Sequence, residues 1–189
     1  MDAMSGLQFE SIHDRFRPRV LRYLKRLVGE SEAEDLAQSV MLKVSEGLPG
    51  FRGESSLSTW IYRIATNAAL DRLRRSATRA AAGTEFDLDE GDVPPELLAP
   101  SAEAQAVRRE MSECIREFVD RLPERYRTVM VLGELEGFEN AEIGAILGVS
   151  LDTVKIRLHR ARERLRSDLQ SGCSFHRGED EGLGCERKA

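Results

Sequence analysis

Long apolar runs are missing from this sequence, and so are the usual marks of an enzyme or a secreted scaffold. Nothing in it approaches the roughly 18–20 consecutive apolar residues that span a bilayer, so membrane insertion is not expected. The N-terminus lacks a basic stretch followed by an apolar one, so no secretory signal is expected and the cytoplasm is the expected location. The three cysteines, Cys114, Cys173 and Cys185, are too few for a disulfide framework. There is no glycine-rich phosphate loop. The three histidines, His13, His159 and His176, fall in unrelated segments, so no catalytic constellation and no cofactor are expected. Strand-like alternation of useful length is also absent, and with six prolines in 189 residues an all-α chain is expected.

What the chain does have is helical periodicity. Phe9, Ile12, Phe16, Val20, Leu24 and Leu27 recur every three or four residues, one apolar stripe that Pro18 should kink or break. A second helix should begin after Ser31, a capping residue with Glu34 three positions on. It carries Leu36, Val40, Val44 and Leu48, and the stop Gly47-Leu48-Pro49-Gly50 follows. A third, after Ser58, carries Trp60, Ile61, Ile64, Ala68 and Leu73. Periodicity resumes at Met111, Ile115, Phe118 and Leu122, and Pro123 suits the first position of another helix.

Between these blocks, Ala77 to Pro100 is rich in glycine, proline and acid, as an extended linker would be. The formal charge of −5 is unevenly placed: +2 over residues 1–77, −6 over 78–107, zero over 108–170 and −1 over 171–189. Basic groups cluster from Arg72 to Arg79 and from Lys155 to Arg166. Two separate nucleic-acid surfaces joined by an acidic connector would be charged in this way.

The segment AEIGAILGVSLDTVKIRLHRARERL, Ala141 to Leu165, fits a helix-turn-helix. Ile143, Ile146 and Leu147 form the inner face of its first helix. Gly144 allows close approach, Gly148 permits the turn and Ser150 can cap the second helix. There Val154, Leu158, Ala161 and Leu165 make an apolar seam, leaving Lys155, Arg157, Arg160, Arg162, Arg164 and Arg166 on the other faces. Such a helix can lie in the major groove, neutralising phosphates while a few side chains reach bases.

LPERYRTVMVLGELEGF (Leu122–Phe138), running into that motif, resembles region 4 of bacterial sigma factors. EDLAQSVMLKVSEGLPGF (Glu34–Phe51) with FRGESSLSTWIYRIATNAALDRLRR (Phe51–Arg75) resembles region 2. With no further domain, the chain is similar to the extracytoplasmic-function group. The resemblance covers roughly residues 7–77 and 108–168. It implies two small helical domains: region 2 at 7–77, which binds polymerase and reads and melts the −10 element, and region 4 at 108–170, which reads the −35 element. An acidic linker over 78–107 and a Cys/His-containing tail over 171–189 complete the chain. The partners implied are core RNA polymerase, double-stranded and locally melted promoter DNA, and an anti-sigma factor.

The family motif places −35 contacts on Thr153, Lys155, Ile156, Arg157, His159, Arg160 and Arg162. Of these, Lys155, Ile156, His159 and Arg160 would face bases, and Thr153, Arg157 and Arg162 phosphates. It places −10 contacts on Trp60, Arg63, Asn67, Arg72, Arg74 and Arg75, with Asn67 helping to read a flipped base. Polymerase contacts fall on Asp35, Gln38 and Leu42. Ser39 departs from the family's usual Glu. Ile156 departs from the commoner Ser; an apolar group there can touch a thymine methyl but makes no hydrogen bond. Several bland roles compete: core packing for Trp60, favourable charge near a helix N-terminus for Glu34 and Asp35, and a solvated spacer for the linker. In the tail, Cys173, His176 and Cys185 are possible zinc or redox groups, against an ordinary flexible extension. A stand-alone regulator with a receiver domain would need an α/β front half, which this chain does not offer.

Overall fold

The computed structural model describes residues 9–81, 115, 117–177 and 183–188. Helices account for most of them. The chain divides into two compact units, Met1–Gly91 with Val131–Val154, and Asp92–Met130 with Lys155–Ala189.

The first unit is built on three helices, α1 (Phe9–Val28), α2 (Glu30–Gly47) and α3 (Leu57–Ala81), with a short 3-10 turn at Leu48–Gly50 after α2. On α1 the expected stripe is buried from Ile12 to Leu27, and Tyr23 joins it. Pro18 does not break the helix. It is exposed, so the lost backbone bond falls on the solvent side while the buried stripe holds both halves together. The start of α2 differs from expectation: its N-cap is Gly29, at φ 85°, with no capping side chain, and Ser31 lies inside the helix. A left-handed residue makes the tight reversal from α1, and glycine adopts it without strain. Small residues, Ala33 and Ala37, share the buried face of α2 with Val40, Met41 and Val44. Its rim is tied to α1 by ion pairs Arg17–Glu34 and Lys25–Glu30.

α3 starts one residue before Ser58. Ser56 caps it by accepting the Thr59 N–H at 3.0 Å. The helix continues to Ala81, into the stretch expected to be linker, because no glycine or proline intervenes before Gly83. The rest of the linker, and Met111, lie outside the described residues. Inside the bundle the Tyr23 hydroxyl meets Thr66 Oγ1 at 2.7 Å, and Thr66 donates to the Tyr62 carbonyl at 2.6 Å. Burial pushes the Tyr23 phenol well up, so it stays protonated and satisfied.

The same unit contains a π-helical turn, Val131–Leu135, and helix α5 (Asn140–Leu147), which packs against α3. Just before the π turn, in the second unit, stands α4 (Glu124–Met130). Pro123 precedes α4 rather than opening it, and its carbonyl accepts the N–H groups of Tyr126 at 2.8 Å and Arg127 at 3.0 Å. Leu122, Tyr126, Met130 and Ala161 form the core of the second unit, with Leu165 against them.

The long helix α6 (Leu151–Gly172) leads into β1 (Cys173–Arg177), which pairs antiparallel with β2 (Leu183–Arg187). No strand was expected here. The closing contacts explain it: Lys188 donates its N–H to the Gly172 carbonyl at 3.0 Å and its Nζ to the Gln170 carbonyl at 2.7 Å. Both carbonyls belong to the last turn of α6, where acceptors otherwise lack partners and a cation is favoured. Gly172 lets the junction pack closely, because a Cβ there would sit 2.6 Å from the Phe118 ring and push it aside.

Candidate nucleic-acid interface

The turn between α5 and α6 is shaped as its residues dictate. Gly148, at φ 66°, ends α5 and returns its N–H to the Gly144 carbonyl. A Cβ on Gly144 would lie 3.0 Å from the Val149 carbonyl oxygen, so the close turn excludes a side chain there. Ser150 accepts the Thr153 N–H at 3.2 Å and caps α6. One feature escaped sequence reasoning: Glu142 accepts the Glu139 N–H at 3.0 Å, half of a capping box that the Glu-x-x-Glu spacing signals.

Along α6 the seam Val154, Leu158, Ala161 is buried and Leu165 half-buried. At 100° per residue, the face opposite that seam carries Asp152, Ile156, His159, Arg160 and Glu163, and all five are exposed. Ile156 stands out at 52% exposure, with no apolar cover. Lys155, Arg162 and Arg166 flank this face on one side, Thr153, Arg157 and Arg164 on the other. Expected base-facing and phosphate-facing positions thus fall largely on different parts of the helix. His159 Nδ1 lies 3.3 Å from Glu163, one turn on. Arg160 sits beside Tyr126, and its guanidinium is the largest influence lowering that phenol below its ordinary range.

The second basic segment is arranged differently. On α3, Arg63, Asn67 and Arg74 share one exposed face, with Asp71 among them. Arg74 pairs with Asp71 at 3.2 Å. Arg72 lies away from that face and forms a two-pronged pair with Glu32 of α2, one arm being 2.5 Å. Arg75 is exposed on a flank. Trp60 is half-buried; its ring lies 5.1 Å from that of Phe51, and a Cβ on Gly47 would come within 2.9 Å of it. Packing therefore occupies much of this indole.

On α2, Asp35, Gln38 and Leu42 form an exposed strip at helical spacing, and Leu42 is 61% exposed, an uncovered leucine beside two polar groups. Ser39 donates its hydroxyl to the Asp35 carbonyl at 3.0 Å, so this departure from the family pattern is satisfied within the helix.

The hairpin register sets the tail residues apart. Cys173 stands opposite Arg187 and Cys185 opposite Phe175, so the cysteines are diagonal. Diagonal positions are roughly 7–8 Å apart, beyond the usual disulfide range of about 4.4–6.8 Å between Cα atoms. His176 occupies a register position of the other parity, and alternate positions belong to opposite faces. Cys173 itself is buried. Among the described residues no group of three His, Cys, Asp or Glu is placed to hold a metal, and no helix is long and apolar enough to cross a membrane.

Comparison with known proteins gives these surfaces a context. Residues 12–79 match the family model Sigma-70 region 2, and residues 112–165 match Sigma-70, region 4. The chain is 34% identical over 168 residues to the ECF RNA polymerase sigma factor SigW of Bacillus subtilis, covering 86% of this chain and 89% of that protein. It is 30% identical over 161 residues to the ECF RNA polymerase sigma-E factor of Escherichia coli K12, covering 82% and 83%. The fold is similar to that of the sigma factor RpoE solved with the anti-sigma factor NepR from Bartonella quintana, with TM-score 0.69 and 21% identity over 86% of this chain and 96% of that one. The chain belongs to the sigma-70 family of RNA polymerase sigma factors. Within that family its relatives place it in the extracytoplasmic-function group.

Proposed function

We propose that this sigma factor binds core RNA polymerase in the cytoplasm and directs initiation at particular promoters, reading the −35 element with α6 and the −10 element with α3, and opening the DNA. One observation carries this reading: in a single chain, α6 has a buried seam and a polar outward face between basic flanks, while α2 exposes a leucine between polar groups. The first suits a major groove, where flanking cations hold phosphates and outward side chains meet base edges. The second suits a protein partner, since an uncovered leucine gains by burial in an interface.

In this reading residues 7–77 act as region 2, 108–170 as region 4, and 78–107 as the acidic connector between them. Arg63, Asn67 and Arg74 on the exposed face of α3 meet the −10 strand, and Asn67 helps to hold an unstacked base. Arg72 mainly braces α3 against α2. Asp35, Gln38 and Leu42 meet polymerase. The chain supplies selection and strand opening, and bond formation stays with the polymerase. Solved neighbours of the same fold were captured with protein partners, RpoE with the anti-sigma factor NepR and CnrH with the cytosolic domain of CnrY. An inhibitor of that kind is the expected regulator here.

Run-off transcription from a promoter library with core polymerase tests the proposal. Specific initiation that requires both proteins supports it. If the free protein binds a defined operator at nanomolar affinity and core adds nothing, it acts as a stand-alone regulator.

A further inference from the structure

Ile156 takes no part in the core of the protein. It is 52% exposed, and a β-branched side chain on an open helix face adds nothing to helix stability. Its position on α6 is specific. At about 100° per residue, the seam of Val154, Leu158, Ala161 and Leu165 is centred on one direction, and Ile156 lies within about 10° of the direct opposite. Glu163, two turns on, shares that line, while His159 and Arg160 stand about 50° to either side of it. His159 Nδ1 lies 3.3 Å from the Glu163 carboxylate, so that acid already has a partner. The middle of the outward face is therefore apolar at one end and carries a paired acid at the other.

What can cover such a side chain is limited by its flanks. Lys155 and Arg162 stand on one side of the outward face, Arg157 and Arg164 on the other, each about 90–110° from its middle. Two rows of cations with an apolar group midway match two rows of anions with an apolar group between them. A helix with its side chains is about 10–12 Å across and the major groove of B-DNA about 12 Å wide. Flanking cations then meet phosphates of both strands, and Ile156 is carried towards the base edges. Most of that floor is polar: guanine offers acceptors, adenine an acceptor and a donor, cytosine a donor. Thymine is the one ordinary base that adds a methyl group. Isoleucine has neither donor nor acceptor, so against the other three edges it displaces water and leaves polar atoms without partners. Against the thymine methyl it buries apolar surface on both sides.

We infer that Ile156 is a specificity-determining residue that reads the 5-methyl group of one thymine in the −35 element. The inference rests on the promoter-reading role proposed above and assigns one base of the sequence that role selects. Cytosine methylated at C5 carries the same group, and the test separates the two sources.

The test starts from the promoter that the full chain selects with core polymerase out of the library. Each −35 thymine of that duplex is replaced singly by deoxyuridine, which pairs with adenine in the same way but lacks the methyl. Run-off initiation is read by competition at limiting sigma factor. One replacement should lower wild-type initiation about fourfold, the factor for one methyl-sized apolar group returned to water. Ile156→Ala, an exposed substitution, should initiate less well on the thymine promoter and respond less than about 1.5-fold to the same replacement, the non-additivity expected of groups in contact. Ile156→Val should keep the response. A selected element with no thymine, or none whose methyl is felt, overturns the inference. So does an equal methyl effect in wild type and Ile156→Ala, which places the methyl under another residue. Even loss by Ile156→Ala on every promoter, with no methyl effect, makes Ile156 a protein contact instead. A response to 5-methylcytosine over cytosine at one position, with none to thymine over deoxyuridine, replaces thymine by the methylated base. If the wild type with core shows no −35 preference at all, the promoter-reading role fails and the inference with it. If the preference is present and no methyl is felt, the inference alone fails.

Discussion

α6 and α3 are both basic helices, yet their arginines are placed differently. On α6 all the cations but Arg160 flank an outward face, and the seam is purely apolar. On α3, Arg72 is held by Glu32 and Arg74 pairs with Asp71, leaving Arg63 and Asn67 as the prominent exposed pair. A helix that docks on duplex DNA needs cations positioned for phosphates on both sides of a groove. A helix that holds a melted strand relies more on a rigid surface and a few polar groups. The difference teaches that basic clusters of similar appearance in sequence divide into outward-facing and bracing arginines only when their acidic neighbours are known.

The largest effect should come from the α6 outward face. Arg160→Ala should change preference at particular −35 bases, each lost contact costing about 1–3 kcal/mol, as read by competition among promoter variants. Equal loss on all sequences would move Arg160 to the phosphate side.

Asn67→Ala should come next, with a loss confined to the melted state. Open-complex formation should fall more than closed-complex binding. On a template already melted across the −10 region the need to open should vanish, while preference at one −10 base stays relaxed. Potassium permanganate footprinting with competition assays checks this, and normal opening with unchanged preference would make Asn67 a surface residue.

Arg72→Ala and Arg162→Ala sharpen the comparison directly. Arg72→Ala should lower thermal stability by about 1 kcal/mol, a figure already reduced for the partial exposure of both partners, because it leaves Glu32 without its fork. Arg162→Ala should weaken binding evenly across sequences and reduce the salt slope by about one. If the two variants exchange these behaviours, the bracing and DNA-facing assignments are reversed.

Much of this was legible in the sequence. Periodicity located the buried stripes of α1 and α6, and Gly144, Gly148 and Ser150 wrote the turn between α5 and α6, since each is a local requirement of backbone geometry. The family resemblance is confirmed over both regions. What periodicity could not show are pairings between residues distant in sequence: Arg72 with Glu32, Tyr23 with Thr66. The start of α2 was misplaced because Ser31 looks like a cap, whereas the left-handed Gly29 turns the chain first. The hairpin was hidden because its strands are short and their alternation weak; it depends on Lys188 meeting the end of α6, a contact no local pattern announces.

The central claim is that α3 and α6 select promoters only as part of a polymerase complex assembled through α2. Its most direct measurement is run-off transcription from a −35/−10 promoter library with core polymerase, comparing the wild type with an Asp35→Ala, Gln38→Ala, Leu42→Ala variant across a titration of sigma factor. The account predicts specific initiation by the wild type. It predicts a titration midpoint at least tenfold higher for the variant, as expected from loss of more than about 1.4 kcal/mol at an interface, with the same ranking of promoters at saturation. An unchanged midpoint, or a changed promoter ranking, would contradict it.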